Sequence, residues 1–234
     1  MNPFFLKLKI LKDCIIGRNY YTPVQIKEKI EWAGNKDCGF YIVPRLLSET
    51  SIVYSLGVGE DVSFDEYLMN KYKCEIYAYD PTPRSIVFVK NKNLPSPFHF
   101  FDCGISDYDG AANFYFSEDQ DYDMSCATYN RWGYDEQKIK PIVVNVKRLL
   151  TLMKENGHIK IDLLKMDIEG SEYAVIKDII GSNIQINQLC VEVHHRFTGI
   201  GTGKTKEMIH LLNQAGYKIA AISDTRLEYT FIRE

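Results

Sequence analysis

The sequence predicts an α/β fold: a doubly wound, seven-stranded, mostly parallel sheet with helices on both faces and its last strand antiparallel. Three observations carry this. Short β-branched and aromatic runs alternate with segments of helical periodicity, the pattern of βαβ units. Several of those runs end at glycine or a carboxylate, as strands do where an open sheet meets a ligand crevice. The last two runs are joined by too few residues for a crossover helix, so they must pair antiparallel.

Taken in order, residues 1–45 read as an N-terminal helical extension. It opens with Phe4-Phe5-Leu6-Lys7-Leu8-Lys9-Ile10-Leu11-Lys12. Lysines interrupt the apolar run and no small-residue cleavage site follows, so a short amphipathic helix fits better than a signal peptide. Its expected role is docking on the domain, with a weak membrane-surface contact through residues 4–16 as the lesser expectation. The domain proper is expected over 46–234. Residues 51–56 form a first strand ending at Gly57-Val58-Gly59, and 62–72 carry helical spacing at Phe64, Tyr67 and Leu68. Residues 75–79 form a second strand ending at Asp80. Pro81-Thr82-Pro83 opens the next helix, since proline suits a first turn. A third strand covers 98–101, and short strands fall at 113–116 and 142–146. Between these two, residues 117–140 form a polar, aromatic insertion, expected to act as a substrate loop. A strand over 161–166 ends at Asp167, a helix runs over 171–180, and a strand over 188–193 ends at His194-His195. A helix over 204–214 closes at Gly216, and 217–222 and 228–232 are the final strands.

Composition excludes several classes. The chain has 234 residues, 45% hydrophobic and 25% charged, which suits one ordinary globular domain. With 28 Lys+Arg against 31 Asp+Glu, the net charge of -3 offers no electrostatic footprint for nucleic acid. The six cysteines form no CxxC pair, so zinc-ribbon spacing is absent and reduced thiols in a cytoplasmic protein are expected. No apolar stretch reaches the ~20 residues of a transmembrane helix.

Three constellations carry chemistry. Gly57-Val58-Gly59-Glu60 follows a strand, and Asp80 ends the next one, where an acidic side chain can grip ribose hydroxyls. A dinucleotide fingerprint would need a third glycine at Val62, so a nucleoside cofactor without a pyrophosphate is favoured: S-adenosylmethionine. Asp167-Ile168-Glu169-Gly170-Ser171-Glu172 leaves a strand at the ligand-binding edge. Asp167 and Glu169 can both face the crevice, while Glu172 reads as a charge satisfied by the helix dipole. Glu192-Val193-His194-His195 ends the neighbouring strand, and alternation puts Glu192 and His194 on one side and His195 on the other.

Two segments imitate other sites. Gly199 to Thr205 resembles a phosphate loop, but the spacing requires a glycine where Thr198 stands. The helix start there could still hold an anionic group of a substrate. Asp119, Asp121 and Asp123 imitate a calcium loop, but Met124 and Asn130 replace its glycine and closing glutamate.

Together these segments resemble the FkbM family of S-adenosylmethionine-dependent methyltransferases. The resemblance spans roughly residues 35–234. It is carried by Asp37-Cys38-Gly39-Phe40, Leu56-Gly57-Val58-Gly59-Glu60-Asp61, Tyr79-Asp80-Pro81, Val191-Glu192-Val193-His194-His195 and, most specifically, Lys165-Met166-Asp167-Ile168-Glu169-Gly170-Ser171-Glu172. It implies a class I methyltransferase fold and O-methylation of a sugar, glycan or related small molecule. It also implies that Gly57, Gly59 and Glu60 cradle the cofactor's amino-acid end and that Asp80 holds the ribose. Asp102, Gly104 and Ile105 would flank the adenine, and Asp167 would lie near the sulfonium.

Methyl transfer to oxygen depends on positioning and on a base or metal to activate the alcohol. The expected base is His194 or His195, oriented by Asp167 or Glu169. The expected site is metal-free; the variant is magnesium or calcium on Asp167, Glu169 and Glu192. Rival readings are a silent cofactor-binding module and a nucleic-acid or protein methyltransferase.

Overall fold

The computed structural model describes residues 3–116, 126–127 and 141–234. Helix α1 (Pro3–Ile15) precedes a hairpin of β1 (Glu31–Ala33) and β2 (Phe40–Ile42). Then come β3 (Ile52–Leu56), α2 (Ser63–Tyr72), β4 (Glu75–Tyr79), α3 (Pro83–Asn91) and β5 (Phe98–Phe101). Short strands β6 (Gly104–Ile105), β7 (Gly110–Phe116), β8 (Cys126–Ala127) and β9 (Ile142–Lys147) lead to α4 (Leu149–Glu155). The chain then returns through β10 (Ile161–Met166), α5 (Glu172–Gly181), β11 (Ile186–Glu192), α6 (Thr202–Gln214), β12 (Tyr217–Ile222) and β13 (Glu228–Arg233).

The main sheet has seven strands in the order β12-β13-β11-β10-β3-β4-β5. Strands β3, β4, β5, β10 and β11 run parallel, and β13 is antiparallel to both of its neighbours, β11 and β12. This is the class I methyltransferase arrangement that the resemblance implies. The last strand is not at an edge but inserted between two earlier ones. Strand β10 is buried at every position, as a central parallel strand covered on both faces must be. Leu164 and Met166 pack with Val175 and Ile179 of α5 and Met208 and Leu212 of α6. Leu163 packs on the other face with Phe64 and Leu68 of α2. Register then fixes the site: Met166 pairs with Leu56 and Val191, and Leu56 with Tyr79. The chain therefore leaves β3, β4, β10 and β11 at one edge.

The N-terminal segment differs from the expected helical extension. It is helical only over Pro3–Ile15, and Ala33, Phe40 and Ile42 of the hairpin are fully buried in the α2-side core. A start at residue 46 thus cuts through packed structure. The hairpin is joined to the sheet by the Val43 N–H donating to Gln188 Oε1 at 3.0 Å. Helix α1 turns Phe5, Leu8, Leu11 and Ile15 outward and buries Asp13. Among the described residues no helix is long and apolar enough to cross a membrane.

The expected short strands at 113–116 and 142–146 are β7 and β9. They pair antiparallel, Ala112 opposite Val144, in a small sheet with β6 and β8. The expected substrate loop at 117–140, including the calcium-loop imitation, lies outside the described residues apart from β8.

Candidate active site

Between β3 and α2 the chain makes a turn that only glycine suits. Gly57 has φ of +81°, and a Cβ there would sit 1.8 Å from the Asp167 carbonyl oxygen. The Lys165 ammonium donates to the Gly57 carbonyl oxygen, tying the turn to β10. Asp80 ties it to β4. The Val58 and Gly59 N–H groups donate to its Oδ2 at 2.8 and 2.9 Å. The N–H and hydroxyl of Thr82 donate to its Oδ1 at 2.8 and 2.7 Å. The carboxylate expected to grip a ribose is thus filled by four donors of the protein's own backbone and side chains. Its first task is to shape the loop, and a ribose hydroxyl must share or displace one of these donors.

A crevice of about 480 Å³ opens beside this turn. Gly57, Gly59, Glu60, Asp80, Gly104 and Ile105 all line it, and so do Asp167 and Glu169. Asp102, the other residue expected there, is exposed and does not line it.

Behind Asp167 and Glu169 lies a cluster of carboxylates around one imidazole. Glu172 is fully buried. Its Oε1 accepts the N–H groups of Ile168 and Gly170 at 3.0 and 3.2 Å and lies 2.9 Å from His194 Nδ1. An ionised carboxylate can only accept, so Nδ1 carries the proton toward Glu172. His194 Nε2 then faces Glu169 Oε2 at 3.4 Å, Asp167 Oδ1 at 3.6 Å and Glu192 Oε1 at 4.0 Å. Burial disfavours charge on His194, but Glu172, Asp167 and Glu169 outweigh it and lift the pKa to about 10. Burial and Asp167 push the Glu192 carboxyl well above the usual range. An imidazolium has no lone pair with which to accept a proton, so the expected base is not a free imidazole here.

His195 does not join this group. Its Nδ1 lies 3.0 Å from the Thr205 hydroxyl of α6, and burial with Arg196 pushes its pKa down to about 4. Strand alternation separates the two histidines as expected. Glu172, by contrast, is more than a helix-end charge. Asp65 and Cys38 also line the crevice, and neither is among the site residues the sequence predicts. A larger groove of about 860 Å³ runs between α5 and α6, flanked by Tyr173, Lys177, Thr198, Lys204 and Met208, and meets the cluster loop at Gly170.

Residues 37–219 match the model of the methyltransferase FkbM domain. The chain is 25% identical over 176 residues to "Probable methyltransferase-like protein 24" of Homo sapiens, covering 72% of this chain and 39% of that protein. It is 25% identical over 145 residues to "2-O-methyltransferase NoeI" of Sinorhizobium fredii, covering 58% of this chain and 60% of that protein. The chain therefore spans less than two thirds of the length of these curated relatives. Among solved structures, the Methanococcus jannaschii fibrillarin pre-rRNA processing protein aligns at a TM-score of 0.48 with 11% identity, over 80% of this chain and 68% of that one.

Proposed function

This chain belongs to the methyltransferase FkbM domain family, and on that premise we propose that it transfers a methyl group from S-adenosylmethionine to a hydroxyl of a sugar, glycan or related small molecule. One observation carries the reading. The glycine turn meets the Asp167 backbone so closely that a side chain at position 57 would collide with it, so cofactor loop and carboxylate cluster share one crevice. The relative named as a 2-O-methyltransferase supports oxygen as the acceptor atom.

The crevice fits the cofactor. Its volume of about 480 Å³ falls within the ~300–1,000 Å³ of small-molecule sites. A Cβ at Gly59 would meet nothing within 4 Å, so backbone there is open to a close approach. Bound S-adenosylmethionine supplies an electrophilic methyl group. Gly57, Gly59 and Glu60 hold its amino-acid end and Asp80 its ribose, while Gly104 and Ile105 flank the adenine. Asp167 and Glu169 are the cluster members open to the crevice; they orient the acceptor hydroxyl and take its proton. The α5–α6 groove, entered at Gly170, receives the rest of a larger acceptor.

The test is calorimetric binding of S-adenosylmethionine, followed by methyl-transfer assays on a panel of sugars and glycans. Asp167→Ala should leave the fold intact and lower turnover at least a thousandfold. Near wild-type turnover in that variant, or no binding of the cofactor, would sink the assignment.

A further inference from the structure

We propose that His194, Asp167, Glu169 and Glu192 bind a divalent first-row metal ion of the manganese type, with Glu172 orienting the imidazole. Its binding stands apart from the methyl-transfer reading; its role there, polarising the acceptor hydroxyl, rests on that reading.

Geometry comes first. Three carboxylates face the same imidazole nitrogen at 3.4, 3.6 and 4.0 Å. The last two separations are too long for hydrogen bonds. Two ligand atoms each ~2.1 Å from one ion lie roughly 3.0–3.5 Å apart at octahedral or tetrahedral angles. Measured from Nε2, the Glu169 oxygen already stands at that spacing, and those of Asp167 and Glu192, at 3.6 and 4.0 Å, stand just beyond it.

Charge balance points the same way. Four carboxylates surround one imidazole. The basic side chains that flank the cluster in sequence are engaged elsewhere: Lys165 with the Gly57 carbonyl, and Arg196 with Asn19 and Thr225. A dication supplies the missing positive charge at the point where the carboxylates converge.

Glu172 adds an independent observation. It is fully buried, yet its Oε2 has no hydrogen-bond partner. One carboxylate oxygen of Glu172, one of Asp167 and one ring nitrogen of His194 lie within 4.8 Å of one another. A buried carboxylate with an unpaired oxygen is costly unless positive charge lies close by, and a dication on Nε2 supplies that charge across the imidazole ring. The Glu172 contact to Nδ1 is also the usual support of a metal-ligating histidine, since it keeps the proton on Nδ1 and aims Nε2 outward; the ion then displaces the Nε2 proton that the metal-free cluster holds.

The donor set decides the ion. Oxygen ligands alone would suit magnesium or calcium, the variant to the metal-free site expected from sequence. An imidazole among carboxylates shifts the preference toward manganese, iron or zinc.

The full chain should be stripped with chelator, dialysed and titrated with Mn2+, following free Mn2+ by EPR and heat by calorimetry. One saturable site per chain is expected. His194→Gln and Glu192→Gln should each weaken it at least tenfold. Glu172→Gln should weaken it about 10–100-fold by way of the imidazole. Circular dichroism melting shows whether each variant folds, and Asp167→Asn serves if one does not. Binding unchanged in these variants marks an adventitious surface ion and overturns the proposal, as does the absence of stoichiometric Mn2+ and Zn2+ binding, whether or not Mg2+ or Ca2+ binds. Titration with S-adenosylmethionine separates the two readings, since either can fail alone.

Discussion

A methyl group at position 57 would lie 1.8 Å from the Asp167 carbonyl oxygen, on a backbone with φ of +81°. Gly57→Ala must therefore strain the turn and push β3 and β10 apart where both carry site residues. The left-handed conformation alone costs about 1–2 kcal/mol for a non-glycine residue. The expected outcome is a loss of at least tenfold in S-adenosylmethionine affinity together with a lower melting temperature, read by calorimetry and circular dichroism. Unchanged affinity would mean that the turn does not shape the cofactor site. The glycines, Asp167, Glu169 and His194 are legible in the sequence because each follows a strand at the ligand edge. The role of Glu172 is not. Position in a first helical turn explains a carboxylate by itself, and only the fold of Ile168–Gly170 and the register of β11 bring His194 against it. Asp80 was legible as a site residue but not as the group that four of the protein's own donors fill.

Among the elements, the hairpin repeats this lesson. Strands β1 and β2 have three residues each, too few to show a period, so nothing in the sequence separates them from a loop. Yet Phe40 is buried and packs edge-on against Phe64 of α2 at 5.7 Å. Helix α4, at seven residues, escaped notice for the same reason. Truncating a buried phenylalanine costs about 3–5 kcal/mol. Phe40→Ala should therefore lower the melting temperature by roughly 6 °C or more, at about 2–4 °C per kcal/mol for a domain of this size. A melting temperature within 1–2 °C of wild type, on that same scale, would show that the hairpin is an appendage. The long strands were legible because β10 and β11 are rich in branched apolar residues and lead into the charged Asp167 and Glu192.

For the whole molecule, the mostly parallel sheet follows from the alternation of strands and helices, and the antiparallel last strand from the short final link. How stability varies with pH was not, because it depends on what the fold buries. Burial pushes the Asp65 carboxyl from 3.8 up to about 6, although Lys165 lies close enough to oppose it. Below about pH 4 both folded and unfolded chains are protonated there. Between about pH 4 and 6 the unfolded chain releases its proton first, so stability falls as pH rises. Above about pH 6 the penalty is constant, at most about 3 kcal/mol for a shift of about two units. Asp65→Asn should match wild type near pH 4 and exceed it increasingly up to pH 6–7 in urea unfolding. A difference that stays flat across that range would rule out titration of Asp65.

The insertion of β13 between β11 and β12 also bears on biosynthesis. On a ribosome β12 emerges before the strand that holds it in the sheet, so it must wait, unpaired, until β13 threads in beside it. Strand β13 is also where the first hairpin rests, through the Thr230 hydroxyl donating to the Tyr41 carbonyl. The hairpin's contacts with β11 and α2 can form earlier, whereas this one waits for the same late event as β12. Nascent chains halted before Glu228 should remain protease-sensitive at β12.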